Sequence, residues 1–232
     1  KKVKLSPLLK CIDGLVFQNW RSLKEINIPS SVTSILFYSF YGCHGLEKID
    51  FESPSSLILI GNNSFNGCDS LKNISFPCSL TVFEISSFFF CSSITEIVIP
   101  SSVTKIGKFI FKYCSKLEKI TFENPPSVTL IGEEAFANCT SLITIEIPSS
   151  VKCIENYAFL NCTSLKQVTF EKDSLIFTGY SSLNRVYIPT LLQSIANNAF
   201  QGCYSLKEIV LPLSLEIYVY DKFKNCTSII NK

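Results

Sequence analysis

The chain has 232 residues, 47% hydrophobic and 17% charged, with 21 basic and 19 acidic side chains for a formal net charge of +2. The charges alternate in sign, which excludes the gathered Lys/Arg face of a nucleic-acid binder, and no apolar run approaches the roughly 18 residues of a membrane span. The segment reads as one domain, residues 1–232; methionine is absent and the last repeat stops inside its strand, as expected of a fragment of a longer protein or of a mature form whose leader and anchor lie outside this stretch.

Lys1 to Trp20 holds the second half of a repeating unit: Ile12 stands eight residues before Trp20 and Phe17 three before it. With Trp20 as an origin, later origins are Cys43, Cys68, Cys91, Cys114, Cys139, Cys162, Tyr180, Cys203 and Cys226, each with phenylalanine three residues earlier. Leu or Ile follows three residues after every origin. Spacings of 23, 25, 23, 23, 25, 23, 18, 23 and 23 residues mark a stacked repeat. The segment L-x-x-I-x-I, as in Leu23 to Ile28, alternates as a strand does, so one strand per unit yields a parallel sheet on one face. Proline at 29, 77, 100, 148, 189 and 212 ends that strand by removing an amide hydrogen. Phe51-Glu52, Phe122-Glu123 and Phe170-Glu171 replace it in units of unusual length, and the extra residues beside Pro54 and beside Pro125-Pro126 should enter a loop.

The return path reads V-x-x-I, as in Val103 to Ile106, a second short strand, followed by A-F-x-x-C as one helical or 3₁₀ turn. Ten units at about 4.8 Å each give roughly 50 Å of stack. The 18-residue unit between Cys162 and Tyr180 omits much of the return path, predicting a notch on the convex side: a tolerated deletion, or a hinge or partner pocket at 171–179.

The pattern L-x-x-I-x-I-P-x-S-V-x-x-I-x-x-x-A-F-x-x-C resembles the BspA-like class of leucine-rich repeats along essentially the whole chain. The resemblance implies an α/β repeat or mainly-β solenoid, a right-handed stack of about ten units with a parallel sheet on one face. Ser31, Ser79, Ser102 and Ser150 stand where most leucine-rich repeats carry Asn or Cys, and a hydroxyl satisfies backbone groups there more weakly.

Little catalytic chemistry is present. The eleven cysteines offer no C-x-x-C pair for a metal; eight sit at the origin in the inward phase, which reads as buried reduced thiols. His44 is the single histidine and reads as a solvated turn residue, and Glu133-Glu134 as solvated charge. No phosphate loop, G-x-S-x-G or H-E-x-x-H occurs. The expectation is therefore no enzyme, no cofactor and no metal.

Five sequons begin at Asn62, Asn73, Asn138, Asn161 and Asn225. The last three follow from the repeat, where Asn is either a turn former or part of a glycosylated extracellular surface. The outward strand positions form the candidate binding face: Glu96, Val98, Lys119, Thr121, Thr144, Glu146, Gln167, Thr169, Arg185 and Tyr187, the last two being hot-spot residue types side by side. By resemblance, the segment implies a protein-binding region of a cell-surface or secreted adhesin contacting host or matrix proteins. An intracellular scaffold or regulatory adaptor is the alternative.

Overall fold

The computed structural model describes residues 2–170, 192–196, 198–206 and 208–209. In chain order its strands are β1 (Lys2–Val3), β2 (Cys11–Ile12), β3 (Glu25–Ile28), β4 (Ser34–Ile35), β5 (Lys48–Phe51), β6 (Leu59–Ile60), β7 (Val82–Phe83) and β8 (Glu96–Ile99). They continue as β9 (Lys105–Ile106), β10 (Lys119–Phe122), β11 (Leu130–Ile131), β12 (Thr144–Ile147), β13 (Cys153–Ile154), β14 (Gln167–Phe170), β15 (Ser194–Ile195) and β16 (Glu208–Ile209). Every pairing is parallel, and the register equals the repeat length: Glu25 faces Lys48 and Ile26 faces Ile49. The L-x-x-I-x-I segment supplies the four-residue strands of a front row, and V-x-x-I the two-residue strands of a back row. The result is a mainly-β solenoid without helix among the described residues.

The interior is built from columns. Phe17, Phe40, Phe65, Phe88, Phe111, Phe136, Phe159 and Phe200 stack face to face through eight rungs, with adjacent ring centroids 4.9 to 5.6 Å apart. Leu23, Leu46, Leu71, Ile94, Leu117, Leu142, Leu165 and Leu206 form a second fully buried column. Such stacking gives each rung its core only through its neighbours, since about 23 residues alone cannot offset their own ordering entropy.

The expected helical or 3₁₀ turn is instead a pair of β-turns. In one unit Ser39 N–H donates to Leu36 O and Cys43 N–H to Phe40 O, and the third residue of each turn, Tyr38 and Gly42, has positive φ, as type II geometry requires. The pattern repeats with residues that would not choose that region: Leu15, Phe90, Phe109, Tyr113, Glu134 and Tyr157 all have positive φ. What holds them is the next rung. Phe109, Phe111 and Tyr113 donate their amides to Glu133, Ala135 and Ala137 carbonyls at 3.0, 2.8 and 2.9 Å. Alternate residues of the turn thus form an inter-rung ladder that outweighs a local cost of about 1–2 kcal/mol per left-handed residue.

The last described rung corrects the unit count. Phe159 stacks on Phe200 at 5.1 Å, β13 pairs with β15, and β14 pairs with β16 so that Gln167 faces Glu208. The rung of Cys162 therefore adjoins that of Cys203 directly, and Phe177 and Tyr180 lie outside the described residues. The notch expected at 171–179 lies outside the described residues.

One column contains a flaw. Ser64 and Ser87 are fully buried and their hydroxyls have no hydrogen-bond partner, whereas the equivalent Ala135, Ala158 and Ala199 bury no polar group. Ser87→Ala is expected to raise stability by about 1 kcal/mol, because an unsatisfied buried hydroxyl is removed with little change of shape. Thermal melting checks this, and a lowered melting temperature would mean that the hydroxyl is bonded after all.

Candidate binding face

Period-2 alternation puts one side of each front strand in the core and the other in solvent. Ile97 and Ile99 are buried while Glu96 and Val98 are exposed, and Ile145 and Ile147 are buried while Thr144 and Glu146 are exposed. Lys119 and Gln167 are exposed, and Thr121 and Thr169 half-buried. These eight expected positions lie on the front in two registered pairs of strands, Lys119 opposite Glu96 and Gln167 opposite Thr144. Arg185 and Tyr187 lie outside the described residues, and the ladder passes from Gln167 straight to Glu208.

Two-residue insertions divide this face. After the insertion beside Pro54, the next unit joins the sheet only through Asn73, which bridges Lys48 and Glu96. After the insertion beside Pro125-Pro126, pairing stops: β10 closes one sheet with β8, and β12 opens another with β14. Each insertion carries a cis peptide, Ser53-Pro54 and Asn124-Pro125. Their glutamates turn back to the preceding unit, Glu52 accepting from Ser30 N–H at 3.1 Å and Glu123 from Ser101 N–H at 3.2 Å. The back row is unbroken there, β9, β11 and β13 being paired. The stack thus opens on the front alone, leaving a cleft of about 310 Å³ between β10 and β12. Lys119 to Phe122 form one wall, Thr144 and Glu146 the other, with Asn124, Pro126 and Pro148 at the end.

Charge on the face is largely matched. Lys119 Nζ lies 3.0 Å from Glu96 Oε1 and Lys48 Nζ 2.6 Å from Asp50 Oδ2; exposed pairs of this kind are worth about 0–1 kcal/mol. Glu146 has no charged partner among the described residues. His44 is exposed, as expected of a solvated turn residue, and its Nδ1 lies 2.7 Å from Asp69 Oδ1. Glu133 makes an exposed pair with Lys108, in keeping with solvated charge, whereas Glu134 pairs with Lys112 in a half-buried setting.

The origin thiols point inward and act as donors. Cys43 Sγ reaches Phe17 O at 3.0 Å, Cys91 reaches Phe65 O at 3.1 Å, Cys139 reaches Phe111 O at 3.3 Å and Cys203 reaches Phe159 O at 3.1 Å. Each thiol donates to the carbonyl of the phenylalanine one rung earlier, so the sulfur column is also a tie between rungs. Burial pushes the Cys43 thiol up to about 11 and the Cys114 thiol to about 12, which makes them poor nucleophiles and poor metal ligands. The serines of the turn do similar work, Ser31, Ser79 and Ser150 each donating to a carbonyl of the previous rung at 2.7 Å. Their role is inter-rung, where only a local backbone bond was expected.

The sequon asparagines differ in setting. Asn73 is exposed on the front face and Asn62 is half-buried on the return side. Asn138 and Asn161 have φ of 61° and 56°, and Asn161 Nδ2 donates to Asn138 Oδ1 at 3.2 Å. Asn225 lies outside the described residues. Asn138→Ala is expected to cost about 1–2 kcal/mol, because a Cβ is costly in the left-handed region and Asn tolerates it best among non-glycine residues, while Asn138→Gly should be near neutral. Chemical denaturation of the two variants checks the difference.

The family model for the BspA type leucine-rich repeat region matches in six copies, over residues 1–118, 84–178 and 111–230. The chain belongs to this family. Among solved structures, this BspA-type chain is similar to a leucine-rich cell surface protein of Faecalibacterium prausnitzii, at 22% identity, covering 95% of this chain and 82% of that one, with a TM-score of 0.52. It is also similar to the pneumococcal vaccine antigen PcpA, at 23% identity and a TM-score of 0.53, covering 96% of this chain and 56% of the antigen. At these identities the likeness concerns the fold. No curated protein matches the chain.

Proposed function

We propose that this BspA-type stack is a non-enzymatic, protein-binding region of a cell-surface, adhesin-like protein, and that it makes contact through the front strand face from Glu96 to Thr169. The observation that carries this reading is the face itself: polar side chains in register on rigid strands, interrupted by a cleft with polar walls. Binding surfaces are best held on such strands, because the scaffold has already fixed the side chains. Against catalysis stand thiols that burial keeps protonated, and among the described residues no group of three His, Cys, Asp or Glu converges on one point. No described helix is long and apolar enough to cross a membrane.

The test is capture of partners from host-surface and matrix extracts by the whole chain, by a front variant (Lys119→Glu with Thr144→Arg) and by a return-side variant (Lys105→Glu with Glu155→Lys). Binding lost in the front variant alone is expected. Equal binding by all three proteins would reject the face. The alternative, an intracellular adaptor, would capture its partner from cytosolic extract instead.

A further inference from the structure

Ordinary front strands in this stack bond to both neighbours, yet β10 and β12 lie side by side without pairing, so each turns an edge of backbone carbonyls and amides into the 310 Å³ cleft. Unpaired backbone groups favour whatever polar ligand can reach them. The volume is at the lower end of the roughly 300–1,000 Å³ found for small-molecule sites, which suits one side chain better than a cofactor. Electrostatics narrows the choice. Lys119 is drawn to Glu96 on β8, leaving Glu146 as the uncompensated carboxylate in the walls. The floor and end are apolar: Ile120, 6% exposed where the paired Ile97 is fully buried, with Pro126 and Pro148.

We propose that the cleft between β10 and β12 receives an arginine side chain of the protein partner, its guanidinium held by Glu146 and the open strand edges and its stem lying over Ile120 and Pro148. Guanidinium presents five donors in a plane, so it can serve a carboxylate and carbonyls from two separate strands at once. A lysine ammonium offers three donors from a single point. The assignment rests on the protein-binding reading of the front face and adds the residue type that enters it.

The probes are N-acetyl-arginine amide and the uncharged N-acetyl-citrulline amide, titrated into the ¹⁵N-labelled chain and followed by amide shifts. Saturable shifts confined to residues 119–122 and 144–147 are expected with the arginine probe. Glu146→Gln, exposed and so without consequence for folding, should weaken them about tenfold or more, and Glu118→Gln, outside the cleft, should not. Equal shifts with the citrulline probe, or shifts unchanged in Glu146→Gln, would overturn the assignment. Partners captured by the front face without arginine-probe binding would reject the cleft and keep the face. Probe binding without any captured partner would do the reverse.

Discussion

Replacing Phe136 by alanine is expected to lower stability by about 3–5 kcal/mol. The ring is fully buried and lies 5.6 Å from Phe111 and 5.5 Å from Phe159 in nearly parallel stacks. Its loss leaves a cavity and ends two aromatic contacts worth about 0.5–1.5 kcal/mol each. Position adds to the effect. Stability in a solenoid is a sum over rungs and the interfaces between neighbours, and at this rung the front sheet is already interrupted between β10 and β12. The spine and the back row therefore carry more of the connection here than elsewhere, and the variant should unfold in two steps where the parent unfolds in one. Urea denaturation followed by circular dichroism provides the measurement. Glu118→Ala, at an exposed site, is the control and should stay within about 0.5 kcal/mol. Glu134 is unsuitable as a control, because it holds Lys112 in a half-buried pair and sits at positive φ. Equal small shifts for Phe136→Ala and Glu118→Ala would contradict a phenylalanine spine.

Alkaline pH should unfold the protein well before general base denaturation. The thiols of Cys43 and Cys114 are pushed to about 11 and about 12, in each case first by burial, and burial raises Cys68, Cys91, Cys139 and Cys162 well above the ordinary value. An unfolded thiol ionises near pH 8.5. Stability from these groups is therefore complete below about pH 8.5, where thiols are protonated in both states. Above that, it declines as the unfolded chain releases protons that the folded chain retains, and for Cys43 the decline continues to about pH 11. Each cysteine contributes a slope of about 1.4 kcal/mol per pH unit, so six together exceed a typical stability of about 5–15 kcal/mol within two units. Loss of β-structure between about pH 9.5 and 10.5 is expected in a titration followed by circular dichroism. A fold unchanged at pH 11 would mean that these sulfurs are not in the core.

Much of the fold was legible in the sequence because it is written as phase. The phenylalanine, leucine and cysteine columns occupy the interior, and V-x-x-I forms the back strands at Lys105–Ile106 and Cys153–Ile154. What was not legible depends on residues 22 or more positions away. Nothing local marks Phe109 or Tyr113 for positive φ, since the amides that hold them there bond to the following rung. The same holds for the cysteine and serine ties, whose acceptors belong to the preceding unit. The Phe-x-x-Tyr spacing at Tyr180 fits the ladder, yet Gln167 pairs directly with Glu208, and Tyr180 itself lies outside the described residues. On the candidate face, exposure followed from alternation. The cleft did not, although its signal was present in Pro125-Pro126: an insertion assigned to a loop also shifts the strand that follows it out of bonding reach.

The most direct test is a map of thiol reactivity in the native protein, by brief maleimide labelling and peptide mass spectrometry, repeated in denaturant. Cys78 should label quickly, Cys11 and Cys153 more slowly, and Cys43, Cys68, Cys91, Cys114, Cys139, Cys162 and Cys203 only once the chain is unfolded. Rapid native labelling of those seven would put the sulfur column in water, and the front face with its cleft would then be the wrong side of the strands.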